Sequence, residues 1–86
     1  MIIDTVNYPY EVSARFGSEQ EGRKCFSELS RAFNSYGGQS HHEFDFHNIQ
    51  FYFRTTSERD KFSKQAKDIT RRLLNGESES KATISP

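Results

Sequence analysis

Four polar residues at alternating positions are the first candidates for chemistry in this 86-residue chain. They are two histidines and two carboxylates: His41, Glu43, Asp45 and His47. Residues two apart on a β-strand point to the same face, and imidazole and carboxylate groups are common zinc ligands. However, the run covers about 20 Å at the rise of a strand, whereas zinc needs three or four convergent ligands. We therefore expect no metal site and no cofactor, and we interpret the four residues as a solvated face.

The segment around the first of these histidines resembles a known family. Residues 38–44, GQSHHEF, are similar to the G-S-H-H-x-F segment of HicA-type mRNA interferase toxins, with Gln39 inserted. The resemblance implies an RNA-acting, dsRBD-like module in which His41 matches the catalytic histidine and residues 57–74 match the basic helix. The chain departs from that pattern through an added first strand, and no strand separates its first predicted helix from the motif.

No other catalytic constellation is present in the sequence. Cys25, the single cysteine, falls on an apolar helical stripe, where a thiol is inert. The chain contains no glycine-rich phosphate loop, nucleophile elbow or paired-carboxylate motif. We therefore predict binding without catalysis, and assign no catalytic residue.

Two groups of side chains are candidates for binding a partner. The first lies on the predicted open face of the sheet, where a tyrosine between arginine and glutamate is typical of a protein contact. An aromatic flanked by arginines also suits base stacking, but the acidic neighbours would repel phosphates. The second group is a basic stripe on the second predicted helix, which suits a phosphate backbone, an acidic protein surface or simple solvation. The candidates are Arg15, Glu43, Tyr52, Arg54, Lys64, Lys67 and Arg71.

A predicted hairpin over residues 41–54 positions the first group. With His47-Asn48 as a two-residue turn, Phe46 lies opposite Ile49, and the remaining aromatic residues follow in register. Directly opposed residues of an antiparallel pair share a face, so one side collects the bulky apolar residues. That predicted apolar face consists of Phe44, Phe46, Ile49, Phe51 and Phe53.

The flanking segments predict the other elements. Alternation over residues 10–16 predicts a half-buried strand. Capping boxes at Ser18 and Thr55 begin two amphipathic helices, which extend to about Tyr36 and Leu74. The order β-α-β-β-α predicts an α+β fold: a three-stranded antiparallel sheet with two helices on one face. This topology resembles a ferredoxin-like fold lacking its last strand, and its first strand is an unpaired edge unless residues 2–6 cover it.

Composition limits the domain organisation and the class of function. We expect residues 1–9 to be an N-terminal arm or a short extra strand, residues 10–76 to form one domain, and residues 77–86 to be a disordered polar tail. The formal net charge is zero, which disfavours nucleic acid as the partner of the whole chain. No stretch approaches the length of a membrane span, and we expect a cytoplasmic location, in a host cell if the chain is phage-encoded.

These observations favour a small non-enzymatic binding domain that contacts a larger protein, as an adaptor or an inhibitor. Its size and character resemble those of phage and mobile-element inhibitors, including anti-CRISPR proteins. The free strand edge also predicts a homodimer. The alternatives are the HicA-type RNA module and a nucleic-acid binder that uses the basic helix.

Overall fold

The computed structural model describes residues 4–42, 46–74 and 82–86. It is an α+β fold in which two helices accompany a four-stranded antiparallel sheet, with strand order β2-β3-β1-β4. The elements are β1 (Tyr10–Arg15), α1 (Glu19–Phe33), β2 (Gln39–His42), β3 (Asn48–Phe53), α2 (Thr56–Leu73) and β4 (Thr83–Ser85). The predicted fold class is confirmed, whereas the predicted count of three strands is wrong.

The pairing of β1 with β3 forms the centre of the sheet. Val12 lies opposite Phe51, and Ala14 lies opposite Ile49. All four side chains are fully buried, because alternate residues of both strands turn to the same face. This face receives the two helices.

The core between the sheet and the helices is dominated by aromatic rings. The Phe51 ring centroid lies 4.9 Å from that of Phe33 in α1 and 4.7 Å from that of Phe62 in α2. The rings meet at tilted angles, the arrangement that the aromatic quadrupole favours. Phenylalanine therefore supplies much of the buried area in a chain with few aliphatic residues.

Both helices begin at the predicted caps. The Ser18 hydroxyl accepts a hydrogen bond from the Glu21 backbone N–H at 3.2 Å, and the Thr55 hydroxyl accepts one from Glu58 at the same distance. The first helix ends at Phe33, three residues before the predicted end. Gly37 then adopts a φ of 73°, the left-handed conformation that glycine tolerates best.

The predicted register between β2 and β3 is wrong by four residues. His42 lies opposite Ile49, because β2 ends at His42 and β3 begins only at Asn48. The predicted two-residue turn is therefore absent, and Phe46 lies outside the strands with a φ of 59°. A shift by an even number preserves the faces, so Ile49, like Phe51 and Phe53, is buried as predicted. The predicted positions of Phe44 and Glu43 fall outside the described residues.

The Phe46 segment packs on the first turns of α1. Its ring lies 5.1 Å from the Phe26 ring and beneath the Arg23 guanidinium at 4.6 Å. Its backbone reaches Gly22 so closely that a Cβ on Gly22 would lie 2.0 Å from the Phe46 carbonyl oxygen. The absence of a side chain at Gly22 thus permits this contact.

The fourth strand occupies the edge of β1 that the sequence leaves free. Ala14 lies opposite Ile84, and the buried Ser63 hydroxyl of α2 donates a hydrogen bond to the Pro86 carbonyl oxygen. Residues 83–85 thus form a strand within the segment predicted as a disordered tail. This strand covers the Ser13–Arg15 part of the β1 edge.

Candidate protein-contact surface

The sheet face opposite the helices is centred on Tyr52. Its register partners are Glu11 on β1 and Gln39 on β2. Tyr52 is half-buried and lies opposite the exposed Glu11. Burial raises the pKa of Tyr52, and the negative charge of Glu11 raises it further. Tyr52 is thus an aromatic residue on an otherwise polar face.

The next rows of this face carry polar and charged groups of both signs. The Ser13 hydroxyl donates a hydrogen bond to the Glu11 carboxylate at 2.9 Å. In the adjacent row, exposed His41 lies opposite Gln50. Exposed Arg15 follows one row further. We call the face formed by Glu11, Ser13, Arg15, Gln39, His41, Gln50 and Tyr52 the open face.

A turn over residues 4–8 lies at the Arg54 end of the open face. The Asp4 carboxylate accepts hydrogen bonds from the Val6 and Asn7 backbone N–H groups, both at 3.1 Å. The Asn7 side chain donates a third hydrogen bond to it, at 2.7 Å. These bonds hold the pKa of Asp4 below its usual value, with the Asn7 side chain as the largest cause. The Asp4 N–H in turn donates to Gln39 at 2.8 Å, which ties the turn to β2.

Arg54 is held against this turn. Its guanidinium donates a hydrogen bond to the Tyr8 hydroxyl at 2.8 Å and lies 5.1 Å from the Tyr8 ring centroid. The bond to Tyr8 is the largest of the effects that raise the pKa of Arg54. Such stacking orients a guanidinium without neutralising it.

The predicted basic stripe lies on the other side of the molecule. Lys64, Lys67 and Arg71 are exposed on α2, which packs on the buried face of the sheet. Arg71 pairs with Asp68 at 2.5 Å, an exposed contact of the kind that contributes little stability. The predicted partner-binding residues therefore divide between two opposite surfaces. Arg15 and Tyr52 belong to the open face and Arg54 lies at its end.

The described residues contain no cluster of metal ligands, and their single cysteine is buried. Among residues 4–42, 46–74 and 82–86, no three His, Cys, Asp or Glu side chains are grouped to hold a metal ion. Cys25 is fully buried in the core. Within the same ranges, no helix is both long and apolar enough to cross a bilayer.

Several residues that build this surface were absent from the predicted binding set. Glu11 lies on the same face of β1 as Arg15, because residues an even number of positions apart in a strand share a face. The alternating pattern of β1 could therefore have placed Glu11 in the binding set. Asp4, Asn7 and Tyr8 had only a weak signal, an Asx-type turn sequence before a proline. Their contact with Gln39 and Arg54 depends on tertiary structure.

No protein-family model matches the sequence, and no curated protein and no solved structure is significantly similar to it.

Proposed function

We infer that this chain is a small non-enzymatic domain that binds a larger protein through its open face. The observation that carries this proposal is the position of Tyr52, which is half-buried opposite Glu11 on a face that no described helix covers. Tyrosine is enriched at the centres of protein interfaces, where it buries a large area and loses little conformational entropy.

The charges of the open face favour protein over nucleic acid as the ligand. Glu11 lies beside Tyr52, and Arg15 lies two rows away. A phosphate backbone selects surfaces of uniform positive charge, whereas a protein partner accepts alternating signs. Occlusion of a functional surface on the partner, as an inhibitor or an adaptor does, is the form of binding that we propose for so small a domain.

We further propose that the fold is the ferredoxin-like one, complete with its fourth strand. The support is the element order β-α-β-β-α-β and the antiparallel sheet order β4-β1-β3-β2. This fold serves many unrelated functions, so the proposal of protein binding rests on the open face alone.

Site-specific cross-linking tests the surface. A photo-reactive benzophenone residue replaces Gln50 on the open face and, in a matched control, Lys64 on α2. We expect one protein to be captured from position 50 and not from position 64. The Tyr52→Ala variant should weaken binding of that purified protein by about 30-fold or more, as an interface anchor does. Capture of a protein from position 64 alone would reject the open face as the binding surface.

The alternative of nucleic-acid binding has one favourable observation, the exposure of Lys64 and Lys67 without ion pairs to other described residues. It requires an affinity that falls steeply with salt and decreases when both lysines are changed to alanine. The HicA-type alternative requires RNA cleavage that is lost in His41→Ala. Fluorescence anisotropy and a cleavage assay with the same RNA test the two, and a salt-sensitive, lysine-dependent affinity would replace our proposal.

A further inference from the structure

A polar pocket lies where the open face meets the residue 4–8 turn. It has a volume of about 450 Å³, within the range of sites for small ligands or single side chains. It is lined by Asp4, Asn7, Tyr8, Gln39 and Arg54. Three of these residues come from the turn, Gln39 lies in β2, and Arg54 directly follows β3, so the pocket forms where the turn packs against the end of the sheet.

Arg54 is the group in this pocket that has the most capacity to bind. One of its five N–H donors is used by the Tyr8 hydroxyl, and its guanidinium forms no ion pair with the described residues. The Tyr8 ring stacks with the guanidinium and limits its motion. A guanidinium that is oriented in advance loses less entropy when it binds a planar anion.

The other lining groups add donors and leave few acceptors. The Gln39 amide oxygen accepts from Asp4, so its NH₂ group remains available to a ligand. The Asp4 carboxylate is already engaged by three donors of its own turn. The unused hydrogen-bonding capacity of the pocket is therefore mainly that of donors around one cation.

We propose that this pocket binds a carboxylate of the protein partner, with Arg54 as the main ligand and the Gln39 amide as a second donor. This inference rests on the proposed function, and it identifies the chemistry that the partner presents at the end of the open face. A carboxylate matches the planar guanidinium and accepts two parallel hydrogen bonds from it. An acidic side chain and a chain-terminal carboxylate share this chemistry.

The negative charge of Asp4 should weaken carboxylate binding in this pocket. An aspartate side chain is ionised at neutral pH, so Asp4 repels a bound carboxylate. Asparagine also supports an Asx-type turn, so Asp4→Asn removes the charge and keeps the turn. Loss of this repulsion should tighten carboxylate binding by about threefold to fivefold, the scale of one exposed charge contact.

The test is an NMR titration of the isotopically labelled chain, followed at the Arg54 Nε–H and the Gln39 side-chain amide. The probes are N-acetyl-glycine for a chain terminus, N-acetyl-glutamate amide for an acidic side chain, and N-acetyl-glycinamide as the uncharged control. We expect saturable shifts with a carboxylate probe, no saturation with the amide, and loss of binding in Arg54→Gln. Arg31→Gln, which removes the same charge from an exposed position of α1, should bind normally.

Equal shifts with N-acetyl-glycine and N-acetyl-glycinamide, or carboxylate binding that persists in Arg54→Gln, would overturn the pocket proposal. Cross-linking from position 50 separates this failure from failure of the proposed function. A protein captured there, together with no carboxylate binding, rejects the pocket and keeps the open face. Carboxylate binding with no captured protein keeps the pocket as an anion site and rejects the partner as its source.

Discussion

Replacement of Gly22 by alanine should destabilise the protein, although Gly22 lies inside a helix. In an exposed helix interior, Gly→Ala stabilises by about 1 kcal/mol, because alanine has the higher helix propensity. Here the added Cβ would lie 2.0 Å from the Phe46 carbonyl oxygen and 2.9 Å from its carbonyl carbon. These atoms belong to the backbone, so a side-chain rotation cannot relieve the overlap.

The size of the destabilisation depends on how far the Phe46 backbone must move to accommodate the new Cβ. The Phe46 backbone has to retreat by about 1 Å, and such overpacking typically costs about 1–3 kcal/mol. The same shift disturbs the ring contact between Phe46 and Phe26, a type of pair that contributes about 0.5–1.5 kcal/mol. After the propensity gain of about 1 kcal/mol is subtracted, we expect Gly22→Ala to lower the free energy of unfolding by about 0.5–3.5 kcal/mol.

Urea unfolding followed by circular dichroism measures this change. Ser27→Ala, at an exposed position of α1, is the matched control and should stabilise the protein by about 0.5 kcal/mol. In a thermal melt, each kcal/mol should shift the Tm by about 4–8 °C. If Gly22→Ala stabilised the protein as Ser27→Ala does, Phe46 would not pack on α1 as described.

Three further predictions concern the core, the open face and the fourth strand. Phe51→Ala should lower the free energy of unfolding by about 3–5 kcal/mol in the same urea assay, because Phe51 is fully buried; a loss below about 1 kcal/mol would contradict its burial. Glu11→Gln should bring the pKa of Tyr52 closer to its ordinary value of 10.0, read as tyrosinate absorbance against a Tyr52→Phe reference, and an unchanged titration would argue against the influence of Glu11 on Tyr52. Because the pKa of Tyr52 is raised in the folded state, the unfolded state loses this proton first and stability should decrease as pH rises above about 10. Ile84→Ala should cost about 1–2 kcal/mol through its partly buried contact with the core, whereas no loss would mean that β4 does not pair with β1.

The local patterns predicted the elements that have strong local signals. The Ser18 and Thr55 caps fix the starts of both helices because each hydroxyl satisfies a backbone N–H that the helix leaves unpaired. The alternation of apolar and polar residues in β3 predicted the burial of Ile49 and Phe51. This burial is the same for any shift of the register by an even number of residues, because the side chains then keep their faces.

The errors concern features that depend on contacts distant in sequence. The register of β2 depends on Phe46, which packs on α1 instead of extending the strand. The fourth strand is only three residues long, too short for a clear periodicity, and its pairing with β1 is a tertiary contact. The pocket at Arg54 likewise requires the Asp4–Gln39 hydrogen bond, which joins residues 35 positions apart.

We propose that the partner covers the open face and leaves the outer surface of α2 in solvent. Hydroxyl-radical footprinting of the complex with the cross-linked partner, compared with the chain alone, measures this most directly at Tyr52 and His41 on one side and at Lys64 and Lys67 on the other. Binding should protect Tyr52 and His41 from oxidation and leave the oxidation of the peptide that contains both lysines unchanged. Protection of the lysine peptide with undiminished oxidation of Tyr52 would contradict this proposal.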